Sequence, residues 1–74
     1  MKLTKLEELR KAKGYSRSTL ADISGVSVRS IEAYEQGLRD LTKARLPTLK
    51  KLAKALKVDI SDLVLDDENY YTNL

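Results

Sequence analysis

A chain of 74 residues with neither cysteine nor histidine cannot form disulfides and lacks the usual ligands of zinc and the usual partners of a catalytic nucleophile. We therefore expect no enzyme activity, no metal and no cofactor. Residues 1–65 hold all 14 lysines and arginines and 8 acids, a net charge of +6, whereas residues 66–74 hold three acids and no base. A basic body suits a polyanionic partner, although the same charges also suit an ordinary solvated surface.

The N-terminal segment, MKLTKLEELRKAKG, predicts a short helix. Leucines recur at spacing three, at Leu3, Leu6 and Leu9, between a capping-box pattern at residues 4–7 and Gly14 as a C-terminal stop. The segment contains no uninterrupted apolar run of the length of a signal peptide or a membrane span. We therefore expect a cytoplasmic protein with no membrane partner.

Residues 16–37, SRSTLADISGVSVRSIEAYEQG, have the spacing of two short helices that meet at a tight turn. Ser16 fits the cap of the second helix, which should run to about residue 24. Gly25 can adopt the positive φ that the chain reversal needs. The first turn of this helix contains no acid, which leaves its amide-rich end free for an anion.

A third helix is predicted over residues 28–36, with Ser27 as its cap and Gly37 as its stop. Ile31 and Tyr34, three residues apart, would face the core. This register places four side chains toward the outer face or its flanks: Val28, Arg29, Glu32 and Ala33.

The segment LRDLTKARLP at residues 38–47 leaves the start of the fourth helix open. The helix can start near Lys43 behind a Thr42 cap, which we favour, or at Pro47, whose missing amide is not needed in a first turn. Leu38 and Leu41 are expected to cover the edge of the core.

The remaining pattern completes an all-α domain. The fourth helix carries an apolar stripe of Leu49, Leu52, Ala53 and Leu56, with Lys50, Lys51, Lys54 and Lys57 outside it as a solvated face. Asp59 and Asp62 predict the cap of a short fifth helix that contains Leu63 and Val64. No strand pattern is present. We predict a compact five-helix domain over residues 1–65 and an acidic, tyrosine-containing tail over residues 66–74.

Two motifs carry a resemblance to the lambda-repressor-like, Cro and XRE-type helix-turn-helix family. They are LADISGVSVRSIEAYEQG at residues 20–37 and TLKKLAKALKVDISDLV at residues 48–64, supported by LEELRKAKGYS at residues 6–16. The resemblance covers about residues 3–65. It implies a lambda-repressor-like fold that binds double-stranded DNA, with residues 28–36 as the recognition helix in the major groove.

The resemblance also implies roles for individual residues. Base-edge contacts fall on Ser27, Val28, Arg29 and Ala33. Phosphate contacts fall on Arg17, Gln36 and Arg39, and the chemistry of Ser30 and Lys43 adds these two residues to the set. Arg10 and Glu35 are implied as a structural ion pair. The small Ala33 stands where a long polar side chain is common, so fewer bases should be read at that position.

The side-chain chemistry makes Arg29 the main candidate for reading sequence. Its guanidinium can donate twice to guanine O6 and N7, which gives about 1–3 kcal/mol of discrimination, and Val28 can contact a thymine methyl. The alternatives are an exposed helix arginine without a specific contact and a valine that only packs at the edge of the core.

The small number of residues that can contact bases favours a homodimer. Specific binding typically exceeds non-specific binding by about 4–10 kcal/mol, which one arginine and one methyl contact do not supply. Two copies on a pseudo-palindromic operator, with half-sites about 34 Å apart, would double the readout. The candidate dimer residues are Leu63, Val64, Leu65, Tyr70 and Tyr71, unless they close the core instead.

The sequence thus predicts a sequence-specific DNA-binding regulator of transcription, most simply a repressor, with no small-molecule ligand. The alternative is an antitoxin-like or adaptor module whose main partner is another protein, held by the acidic, tyrosine-containing tail.

Overall fold

The computed structural model describes residues 4–64, and the chain there forms five α-helices and one 3₁₀ turn. The elements are α1 (Lys5–Ala12), α2 (Arg17–Ser24), α3 (Val28–Glu35), the 3₁₀ turn (Leu41–Lys43), α4 (Leu46–Leu56) and α5 (Ile60–Val64). For residues 4–64 this confirms the predicted all-α, five-helix class. The predictions made for Leu3, for the boundary at residues 65 and 66 and for the tail lie outside the described residues.

Every helix contributes to one core. The most deeply buried side chains are Leu6 of α1, Leu20 of α2, Ile31 of α3, Leu52 and Leu56 of α4, and Leu63 of α5. The apolar stripe predicted for the fourth helix is buried as expected, and Ala55 joins it. α3 packs mainly against α2 and, to a lesser extent, against α1, so these two helices set its position.

Three hydroxyl caps fix where the first three helices begin. The hydroxyl oxygens of Thr4, Ser16 and Ser27 accept hydrogen bonds from backbone N–H groups three residues further on, at 3.3, 3.0 and 3.1 Å. Each bond satisfies an amide that the helix itself leaves without a partner, as the sequence predicted.

The turn between α2 and α3 depends on Gly25. This residue has φ +79° and closes α2 in the left-handed conformation, and its N–H donates to the Ala21 carbonyl at 2.8 Å. The next amide, that of Val26, donates to Ser24 Oγ at 3.1 Å, and the Val26 side chain is buried. The reversal therefore brings the start of α3 directly onto the core.

The favoured start of the fourth helix was wrong. α4 begins at Leu46, and residues 41–43 form a separate 3₁₀ turn. A start near Lys43 would have put Pro47 where an N–H must bond the Lys43 carbonyl, whereas Pro47 in the first turn gives up no bond. Asp40 also caps the 3₁₀ turn, because its Oδ1 accepts from Thr42 N–H at 3.0 Å. Thr42 is therefore part of that turn and does not cap α4.

The link also differs from its prediction in one leucine. Leu41 packs against the core as expected, but Leu38 is 75% exposed. Leu38 follows Gly37, which has φ +78°, and its N–H donates to the Ala33 carbonyl at 2.9 Å. The chain folds back over the end of α3 at this point, so the Leu38 side chain points away from the core.

We predict that Gly25→Ala lowers the free energy of unfolding by about 1 kcal/mol, because the left-handed conformation is unfavourable for a residue with a Cβ. A Cβ at this position would meet no atom within 4 Å, so the cost lies in the backbone alone. Gly25→Asn is the control and should lose less, since asparagine tolerates this conformation. Urea denaturation measures both variants, and equal losses would contradict the backbone explanation.

Candidate nucleic-acid interface

Helix α3 turns one side to the core and the other to solvent. Ile31 and Tyr34 are buried, whereas Arg29 and Glu32 are exposed and Val28 is 40% exposed. The inward and outward sides are therefore those that the spacing of Ile31 and Tyr34 predicted. We use the name α3 face for the exposed side of this helix with its cap Ser27.

The polar side chains at the start of α3 bond to one another. Ser27 Oγ donates to Ser30 Oγ at 3.0 Å, and Ser30 Oγ also accepts from Arg39 Nη1 at 3.3 Å. The Arg29 guanidinium makes no hydrogen bond within residues 4–64, so its five N–H donors are available to an external acceptor. Of the four residues predicted to contact bases, Arg29 is thus the long side chain available for an external acceptor.

The loop after α3 holds Arg39 beside the helix. Its guanidinium carbon lies 4.8 Å from the centre of the Tyr34 ring, a cation–π geometry, in addition to its bond to Ser30. The Arg39 N–H donates to the Ala33 carbonyl at 3.2 Å. Because ring, hydroxyl and carbonyl all constrain it, Arg39 carries a fixed positive charge at the edge of the α3 face.

Three further predicted residues lie around this face. Ala33 is half-buried under the returning loop, Gln36 is the exposed C-terminal cap of α3, and Lys43 is exposed at the end of the 3₁₀ turn. The structure therefore groups Gln36 and Arg39 next to the end of α3, while Ala33 offers a smaller surface than the other predicted base contacts.

A buried carboxylate joins α1, α2 and α3. The Glu35 side chain has no exposed surface, and its Oε2 accepts from Arg10 Nε at 2.7 Å while its Oε1 accepts from Arg10 Nη2 at 3.1 Å. Arg10 Nη1 donates to the Tyr15 carbonyl at 2.8 Å. The structure thus brings the predicted Arg10 and Glu35 pair together in a bidentate geometry. Each side chain neutralises the charge of the other and satisfies its hydrogen-bonding groups.

Arg17 belongs to the same network, which the sequence did not indicate. Its Nε donates to Glu35 Oε1 at 2.9 Å and its Nη1 donates to Glu32 Oε2 at 3.3 Å. The sequence interpretation assigned Arg17 to phosphate contact only. Two acids on α3 now orient its guanidinium, and Nη2, which makes no hydrogen bond within residues 4–64, is the group left for a phosphate.

The pKa values of this cluster follow from burial and hydrogen bonding. Burial alone raises the pKa of Glu35, but hydrogen bonds from Arg10 and Arg17 outweigh it, so the pKa lies below its usual value. The hydrogen bond to Glu35 likewise raises the pKa of Arg10. Glu35 and Arg10 are therefore both charged at neutral pH, and they form an ion pair rather than a proton donor and acceptor.

For Leu63 the structure shows the alternative that the sequence left open, which is closure of the core. Leu63 is only 2% exposed and lies in the core, so it presents no side-chain surface to a second copy. Val64 is half-buried and packs against the same core. Leu65, Tyr70 and Tyr71 lie outside the described residues.

Residues 4–64 contain no cluster of acidic side chains that could hold a metal ion. In the same range, no helix is long and apolar enough to cross a membrane. The chemistry of the α3 face is that of a surface with arginine and hydroxyl donors and a small apolar contact at Val28. Such a surface can donate to base edges and to anionic oxygens.

Comparison with known proteins gives one match. A family model described as helix-turn-helix matches residues 6–63, which include all five helices apart from the first residue of α1 and the last of α5. A search of curated proteins and a search of solved structures each found no match.

We predict that Glu35→Gln lowers the free energy of unfolding at pH 7 by about 3 kcal/mol, because it leaves a buried arginine without its counter-charge. The lowered pKa of Glu35 means that its stabilisation is complete above about pH 4.5, the ordinary value, and is lost as the pH falls through the folded-state pKa. The difference between wild type and variant should therefore narrow on acidification.

Urea denaturation between pH 7 and pH 3 measures this difference. Glu32→Gln is the control, because it removes an exposed partner of Arg17 and should cost less than about 1 kcal/mol. A Glu35→Gln loss that is independent of pH would show that the charge of Glu35 is not what stabilises the domain.

Proposed function

The chain belongs to the lambda-repressor-like (XRE) helix-turn-helix family of DNA-binding domains, and on that premise we propose that it is a sequence-specific regulator of transcription that acts as a repressor. It would occupy an operator with the α3 face in the major groove of double-stranded DNA. The observation that carries the proposal is the exposed, unbonded Arg29 on a helix whose opposite side is anchored in the core.

Reading and anchoring fall to different residues in this proposal. Arg29 donates to a guanine and Val28 contacts a thymine methyl, because both are exposed on the first turn of α3. Ser27 and Ala33 lie on the flanks of the same face and contribute shorter contacts. Sequence selectivity should therefore be concentrated at one or two base pairs of each half-site.

Phosphate contacts surround the reading residues. Arg39 is already held in place by Tyr34 and Ser30, and Arg17 is oriented by Glu35 and Glu32 with Nη2 left over. Lys43 and Gln36 are exposed as well. Neither α2 nor α3 has an acid in its first turn, so the amide-rich ends of both helices can face phosphate.

The small number of base-contacting residues supports a homodimer. One bidentate arginine contributes about 1–3 kcal/mol, and specific binding needs about 4–10 kcal/mol over non-specific binding. A second copy on a pseudo-palindromic operator supplies the rest. With Leu63 in the core, the candidate contacts that remain are Val64, Leu65, Tyr70 and Tyr71.

A regulator must share a compartment with its DNA, so a cytoplasmic location follows from the proposed function. The function needs no small-molecule ligand. An antitoxin-like or adaptor role with a protein partner is the competing function, and the experiment below separates the two.

We predict that selection from a pool of random duplexes enriches one motif that appears twice as an inverted repeat. The centres of the two half-sites should lie about 34 Å apart, one turn of the duplex, because both copies of α3 must reach the same side. Fluorescence anisotropy on the selected duplex should show affinity falling steeply as salt rises, since phosphate contacts release counterions. Salt-sensitive binding without an enriched motif would contradict the regulator and favour the adaptor role.

We predict that Arg29→Ala and Arg39→Ala weaken DNA binding in different ways. Arg29→Ala should lose about 1–3 kcal/mol of discrimination at one base-pair position and leave the other positions of the motif unchanged. Arg39→Ala should weaken all duplexes alike and reduce the salt slope by about one.

Repeating the selection with each variant makes the comparison, and thermal unfolding confirms that both variants fold. An unchanged motif for Arg29→Ala would show that another residue reads the sequence. A changed motif for Arg39→Ala would show that the loop after α3 contacts bases and not only phosphates.

A further inference from the structure

A second surface, away from the α3 face, combines an exposed apolar side chain with two lysines. A shallow, open groove between the C-terminal end of α2 and the middle of α4 is lined by Ile23, Ser24, Lys51, Lys54 and Ala55. We call it the α2–α4 groove. Ile23 is a large apolar residue and is 51% exposed.

The chemistry of the groove suits a segment that is both acidic and apolar. Ile23 offers the apolar surface, with the buried Ala55 beneath the groove, and the ammonium groups of Lys51 and Lys54 form no ion pair within residues 4–64. Lysines one turn apart on a helix lie on the same side of it, so both charges face the groove together. An occupant with two or more carboxylates and a large apolar group would satisfy both features.

One part of this chain has that composition. Residues 66–74, DDENYYTNL, contain Asp66, Asp67 and Glu68 followed by Tyr70, Tyr71 and Leu74, and no basic residue. No lysine or arginine follows Lys57, so the three acids are the only charged side chains of the segment. The charges of the segment and of the groove are thus opposite in sign and similar in number.

The length of the chain limits how far the segment reaches. Ten residues follow Val64, and at about 3.3 Å per residue they can extend about 33 Å, of which the three acids have the first two to four residues, about 7–13 Å. They start from α5, which packs against α4, the helix that provides Lys51 and Lys54. A tether of this length gives an effective concentration of about millimolar, which favours the segment's own domain over a second copy.

We propose that residues 66–74 bind in the α2–α4 groove of the same chain. The carboxylates of Asp66, Asp67 and Glu68 pair with Lys51 and Lys54, and one of the two tyrosine rings covers Ile23, which leaves Val64, Leu65 and the other tyrosine as candidate dimer contacts. The contact lies outside the α3 face and does not depend on DNA binding, so it extends beyond the proposed regulator function. It assigns a role to two lysines that the sequence pattern places on an ordinary solvated face.

Paramagnetic relaxation in the full-length chain tests the proposal. The chain has no cysteine, so Asn73→Cys provides a single site for a nitroxide label. We expect amide signals of Ile23, Ser24, Lys51, Lys54 and Ala55 to lose most of their intensity in the ¹⁵N–¹H spectrum. Lys51→Glu combined with Lys54→Glu should restore these intensities, whereas Lys50→Glu, an exposed lysine of α4 outside the groove, should not.

A mixture of ¹⁵N chain without nitroxide and ¹⁴N chain with nitroxide identifies which copy supplies the segment. Broadening at the groove when the ¹⁵N chain itself carries the nitroxide, and none in the mixture, supports the proposal. Equal broadening in the mixture would overturn it in favour of binding between two copies. No broadening at the groove, or broadening that survives the double charge reversal, would overturn it as well.

Discussion

The Glu35 carboxylate is the contact on which the rest of this small domain depends. Two arginines from two different helices bond it, Arg10 from α1 and Arg17 from α2, while Glu35 itself belongs to α3. The charge has no exposed surface, so its burial is compensated only if both arginines stay in place. In a domain without disulfides, this network fixes the relative rotation of the three helices, which apolar packing alone specifies less strictly.

The same network connects stability to the proposed interface. Arg17 bonds the buried Glu35 with one nitrogen and the exposed Glu32 with another, so it spans from the core to the α3 face. Glu32 places a negative charge beside a surface proposed to meet phosphates, which would repel DNA if it stood alone. Pairing with Arg17 offsets that charge and leaves a net positive edge. A residue predicted for phosphate contact thus also has a structural role.

Local rules predicted most of the fold, because most of its determinants are local. The caps Thr4, Ser16 and Ser27 and the left-handed Gly25 are recognisable from short stretches of sequence, and the helices begin and turn where they indicate. The start of α4 was missed because the Thr42 cap and Pro47 gave conflicting signals. Asp40, which caps the 3₁₀ turn instead, carries no helical period that would reveal its role.

In the candidate site, the sequence predicted which side of each helix faces outward, but not the contacts between different helices. Spacing alone placed Ile31 and Tyr34 inward and Val28 and Arg29 outward, but the Arg17 contacts join residues 15 and 18 positions apart and depend on how two helices cross. The structure also adds a physical reason to expect little base contact at Ala33, whose carbonyl accepts two N–H groups of the returning loop. The loop lies against the last turn of α3, so the proposal assigns base contacts mainly to its first turn. In the proposed complex, selectivity beyond those contacts would come from the spacing of two domains and from DNA shape.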